Sequence, residues 1–132
     1  MAESQGLVWH QARAAHNLGG MALLSDRDLG TARRWQETAL HLWSDAEMPG
    51  STDGPLAELA WIEELSGNWD GAERLAHRVT QRSVDGIHNV DAECVLARVR
   101  TRRGDPEARD AARARDSRPC RRRRTRRRPA TL

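Results

Sequence analysis

The sequence predicts an all-α chain, a short right-handed array of antiparallel helical hairpins. Three observations point there. Apolar residues recur with helical spacing, polar breaks between the apolar runs pair a helix stop with a helix start, and the whole unit recurs about every 40 residues.

The unit is clearest from Leu56 to Val79, "LAELAWIEELSGNWDGAERLAHRV". Leu56, Leu59 and Ala60 share one helical face, and Trp69, Ala72, Leu75, Ala76 and Val79 share a face of the following run. Between the runs Gly67 suits the left-handed residue that closes a helix, and Asn68 suits the cap that opens the next. Asp70 and Glu73 fall near the positive end of that second helix. Asp53-Gly54-Pro55 opens the first helix, with Asp53 as cap and Pro55 in the first turn.

Upstream, "ARAAHNLGGMALLSDRDLGTARRWQETALHLW" has the same plan: a helix through about Leu24, a break at "SDRD", and a helix from about Leu29 to Ser44. Aligning Ala32 with Ala72 sets Gly20 on Ala60. Downstream, Gly104 ends a helix, Asp105 caps the next and Pro106 takes its first position, which sets Ala97 on Ala60. This third hairpin is incomplete, because no Val, Ile, Leu, Met or Trp stands between Val99 and Leu132. A helix from Pro106 to about Asp116 has only alanine methyls to bury. Residues 1–116 are therefore expected to form the repeat domain and 117–132 a disordered Arg-rich tail.

The small residues Gly20, Ala60 and Ala97, the Gly-Asn and Gly-Asp turns seven residues after Ala60 and Ala97, and the alanines Ala32 and Ala72 resemble a tetratricopeptide-type repeat protein over roughly residues 10 to 112. More narrowly, "LAWIEELSGNWDGAERLAHRV" and "AECVLARVRTRRGDPEARDA" resemble the divergent repeats of large actinobacterial transcriptional regulators of the LuxR type. The resemblance implies a protein-binding repeat segment, flanked in such regulators by an ATPase module and a DNA-binding helix-turn-helix. Neither flank is visible here: a chain without Lys holds no P-loop, and residues 118–132 are too short and basic for a recognition bundle. Glu63 stands where the family usually packs a large ring.

Composition is in keeping with one small domain of 132 residues, 38% apolar, without Phe or Tyr. All 22 basic residues are Arg, a usage of GC-rich codons expected of a high-GC bacterium. Residues 1–117 hold 14 Arg against all 19 acids, a net of −5, whereas the tail carries +8. Cys94 and Cys120 are too few for a disulfide framework and read as reduced thiols. The N-terminus lacks the pattern of a secretion signal and no run is long and apolar enough for a membrane span, so a cytoplasmic protein with no membrane partner is expected.

No residue pattern demands an enzyme, a cofactor or a metal. His10, His16, His41, His77 and His88 form no HExxH-like pair and read as solvated helix positions. Glu63-Glu64 and Asp26/Asp28 are accounted for by helix geometry and capping. Trp35, Trp43 and Trp69 on second helices read as packing. Trp61 reads two ways, as cover for the next helix or as the aromatic anchor of a partner-binding groove. In that groove Glu58 and Glu64 flank it, and Asn17, Asp91 and Arg98 occupy comparable places in the neighbouring units. Protein or peptide binding is the expected function.

The tail, with Arg121, Arg122, Arg123, Arg124, Arg126, Arg127 and Arg128, also reads two ways: a polybasic arm for non-specific nucleic-acid binding, or sequence from a shifted or run-on GC-rich frame in a truncated gene product. The stripe Ile87, Val90, Cys94 and Ala97, with Val95 and Val99 beside it, is expected to lie partly uncovered and to favour self-association.

Overall fold

The computed structural model describes residues 2–82 and 86–104. Asp105, Pro106, Cys120 and the expected tail lie outside the described residues. All regular structure among those described is helical: α1 (Ala2–Met21), α2 (Leu29–Asp45), α3 (Asp53–Leu65), α4 (Trp69–Arg82) and α5 (Ile87–Arg102), with a π turn at Ala22–Asp26 and a 3-10 turn at Pro49–Thr52. Each helix packs on the next in the chain, and α3 also meets α5 and, more lightly, α1.

The helix boundaries follow the sequence signals closely. At the first break Arg27 takes the left-handed conformation, its N–H returning to the Ala22 carbonyl, and Asp28 caps α2 by accepting from the Thr31 N–H at 3.1 Å and the Thr31 hydroxyl at 2.8 Å. At the middle break Gly67 has φ +87, and Asn68 Oδ1 accepts from the Gly71 N–H at 3.1 Å. Gly104, φ +85, follows the end of α5. The start of α3 differs from expectation. Thr52 holds the cap position but its hydroxyl accepts from Arg82 Nη1 at 3.2 Å rather than capping α3, and Asp53 is already helical. Its carboxylate lies 3.9 Å from Arg82 Nε instead.

Helix α3 is the centre of the molecule, with every residue from Asp53 to Glu64 buried. The expectation of an amphipathic helix with one apolar face is therefore corrected. Because α2, α4, α5 and α1 all reach it, no side of α3 is left to water, and such a helix must satisfy its polar groups internally. The core around it runs through Leu56, Ile62, Ala72, Ala76, Val79, Val95 and Val99. A second cluster joins Ala12 and Ala15 of α1 to Ala39 and Trp43 of α2.

Further expectations meet the structure on α5, α1 and α2. On α5 the stripe expected to lie partly uncovered is so at Ile87 and Val90, which stand exposed, but not at Cys94, Val95, Ala97 and Val99, which are buried, and the core runs through Ala92, Val95, Leu96 and Val99. On α1 the glycine at a close helix approach is Gly19, next to the Gly20 that the repeat alignment sets on Ala60. A Cβ at Gly19 would lie 2.6 Å from Gln36 Nε2, whereas one at Gly20 would meet nothing within 4 Å. Trp35, expected to pack, is 37% exposed.

Candidate functional site

The expected groove residues separate into two groups. Glu58, Trp61 and Glu64 are buried, so the exposed face with Trp61 as anchor is not what the chain builds. Trp61 joins the main core instead. Glu64 ties α3 to α5: its carboxylate accepts from Arg98 Nε at 2.9 Å, Arg98 Nη2 at 2.8 Å and Arg102 Nη1 at 2.8 Å. A carboxylate removed from water is tolerated when several charged donors surround it. Arg98 thus acts within the fold. Asp91 is half-buried on α5. Neighbouring Glu63 accepts from Arg33 of α2 and, at 2.6 Å, from Asn68 Nδ2. The capping residue of α4 therefore also anchors α3, and the acid replaces the large ring expected there by an ionic tie.

Asn17, the remaining groove residue, is exposed and lines a cavity of about 340 Å³. Four of its walls come from one face of α1, where Trp9, Arg13, His16 and Asn17 recur at helical spacing. Trp43 near the end of α2, Ser51 in the 3-10 turn, Gly54 and Pro55 at the start of α3, and His88 at the start of α5 complete it. The volume lies near the lower end of the roughly 300–1,000 Å³ usual for ligand sites.

Hydrogen bonding fixes part of this cavity. Gln36, wholly buried, donates from Nε2 to the His16 carbonyl at 3.0 Å, which leaves Oε1 facing His16 Nδ1 at 2.7 Å. The Nδ1 position must then carry the proton. The opposite edge of the ring faces α3: a Cβ at Gly54 would lie 3.1 Å from His16 Nε2 and 3.3 Å from both His16 Cε1 and His88 Cε1. A larger residue there would have to displace two imidazoles by a few tenths of an ångström. The rings of Trp9 and Trp43 lie 6.5 Å apart, those of His16 and Trp43 6.2 Å apart, and the Arg13 guanidinium sits 5.2 Å from the Trp9 ring centre. Trp43 is 4% exposed, and its indole nitrogen is buried with no hydrogen-bond partner.

Sequence reasoning missed this cluster. It read His16 and His88 as solvated helix positions, and Trp43 as packing alone. No local period links residues on five separate segments, so the cluster becomes visible only when the helices are assembled.

Among the described residues no group of His, Cys, Asp and Glu side chains is placed to hold a metal ion, and no helix is long and apolar enough to cross a membrane. Arg121, Arg122, Arg123, Arg124, Arg126, Arg127 and Arg128 lie outside the described residues. No protein-family model, curated protein or solved structure matches this chain.

Proposed function

We propose that the chain is a non-catalytic interaction module, a tetratricopeptide-like array of hairpins that holds a protein or peptide segment in the cytoplasm, as the repeat portion of a LuxR-type transcriptional regulator does. The observation that carries this reading is the order of packing. Each helix lies on its successor, and the first helices of successive units also meet, α1 with α3 and α3 with α5. That order suits hairpins stacked one on the next in an array. The cleft at Asn17 and Arg13 then lies where a bound segment would pass. Peptide-display selection against the full chain tests this, followed by binding measurements on Asn17→Arg and on a chain ending at Ser117. Peptides kept by the shortened chain and lost with Asn17→Arg are the expected result; peptides lost only with the tail would defeat the reading.

The charge asymmetry favours a second reading, non-specific nucleic-acid binding through the tail. An acidic body of net −5 repels a polyanion that a segment of +8 attracts. Binding should then weaken steeply with salt, with a log–log slope of roughly −0.7 to −0.9 per phosphate engaged. Replacing Arg121–Arg124 and Arg126–Arg128 by Gln should abolish it. Preference for one sequence over a scrambled competitor would overturn this second reading.

A further inference from the structure

Helix α1 presents three faces, and two of them are accounted for. Ala12, Ala15 and Gly19 lie against α2, and Trp9, Arg13, His16 and Asn17 line the cavity shared with the starts of α3 and α5. The third face holds Leu7, Ala14, Leu18 and Met21, which fall within about 60° of one another at 3.6 residues per turn. All four are exposed.

Composition sets this face apart from the others that meet water. The twenty residues of α1 hold two charged side chains, Glu3 and Arg13, and Arg13 belongs to the cavity face, over the ring of Trp9. The fourteen residues of α4 hold five. Charged side chains keep an exposed helix soluble and apart from its neighbours, and α1 has none on its third face. An arriving apolar surface therefore strips no ion of its water there.

The arrangement of the face indicates what covers it. Leu7 and Met21 each lie seven residues from Ala14, and Leu18 and His10, also exposed, each lie four. Two copies of α1 crossing antiparallel at Ala14 thus set Leu7 of each on Met21 of the other, and Leu18 of each on His10 of the other. Alanine at the crossing lets the two helix axes come close. Such a contact uses the same patch on both copies and closes on itself. Parallel pairing would instead set like ends of the two helix dipoles side by side.

We propose that the face of α1 formed by Leu7, Ala14, Leu18 and Met21 is a homodimer interface, in which two copies of this chain pair antiparallel about a two-fold axis at Ala14. The inference does not rest on the repeat reading. One helix against one helix lies at the small end of specific interfaces, so the dimer accumulates only as concentration rises.

The test uses the full chain, with mass read by sedimentation equilibrium over a concentration series and helicity by circular dichroism. Wild type should pass from monomer to dimer. Leu7→Glu and Met21→Arg, both at exposed positions, should each keep the helicity and weaken dimerisation by about tenfold or more, because each leaves a charge unpaired in an apolar contact. The two substitutions together should recover the dimer, since each new carboxylate then meets a new guanidinium of the other copy. Within one chain the two sites lie about 21 Å apart along α1, at 1.5 Å per residue, so recovery can arise only between chains. A double variant no better than the single ones would exclude the antiparallel register and overturn the proposal. Single variants that dimerise as wild type does would overturn it too, and so would a wild type that stays monomeric, which would leave the face to a different polypeptide.

Discussion

At the scale of single residues, the stability of the centre turns on how α3 meets the charge that it buries. The Glu64 side chain is 1% exposed, against 29% for Arg98 and 44% for Arg102. Removing the acid costs its packing and all the donors it gathers, while the two arginines regain part of their hydration. Glu64→Ala should therefore lower stability by about 2–4 kcal/mol. Arg102→Ala should cost about 1 kcal/mol or less, because Arg98 still forks onto the carboxylate. Denaturant midpoints on the two variants check the order, and equal losses would mean that Arg98 does not hold Glu64 alone. Asp28 gives a pH signature instead. The Thr31 backbone N–H, and then the Thr31 hydroxyl, hold its carboxyl below the ordinary 3.8. A depressed acid stabilises the fold above its unfolded value and loses that contribution as pH falls through the folded one. The stability gap between wild type and Asp28→Ala should be constant above about pH 5 and shrink below pH 3.8. A gap that widened on acidification would place the cap elsewhere.

Single helices were legible in the sequence where the signal was local. Gly67, Asn68, Asp28 and Gly104 take the positions that turn chemistry assigns them, because a left-handed residue or a cap depends on its immediate neighbours. What the sequence did not disclose was which side of a helix meets a partner. The repeat alignment set Gly20 on Ala60 without marking Gly19, where α1 comes close to Gln36 of α2, and one step along a helix turns a side chain by about 100°. Adjacent glycines should for this reason respond with opposite sign. Gly20→Ala adds a methyl in open space and gains helix propensity, so it should stabilise by about 0.5–1 kcal/mol. At Gly19 the methyl would meet Gln36 Nε2, Cδ and Cγ at 2.6, 2.9 and 3.1 Å. Gln36 cannot swing aside without releasing both of its bonds to His16. Gly19→Ala should thus destabilise by about 1–2 kcal/mol net, after the same propensity gain. Thermal melts of the pair decide it, and two shifts of the same sign would remove the close approach of α1 and α2.

Across the whole molecule, periodicity carried the all-helical class, but not the burial of α3 on every side or the cavity at its start. Both depend on contacts between segments far apart in the chain. The same assembly leaves apolar side chains exposed, among them two groups on helix faces. Leu7, Leu18 and Met21 are 62%, 43% and 60% exposed, and their spacing of eleven and three residues puts them on one face of α1. Ile87 and Val90, 45% and 40% exposed, stand on the first turns of α5. Helices in a serial array bury their outer faces only against a neighbouring unit, and contiguous apolar surface tends to find a partner. The chain should therefore associate with itself as concentration rises. Substituting Leu7, Leu18 and Met21 together by Gln removes one patch without touching the core, so it should restore a monomer while leaving the melting temperature within a few degrees of the wild type. Light scattering over a concentration series reads the mass directly. A wild-type chain that stayed monomeric throughout would mean that the α1 face is too small or too interrupted to drive association. Association that persisted in the substituted chain would move the contact to Ile87 and Val90.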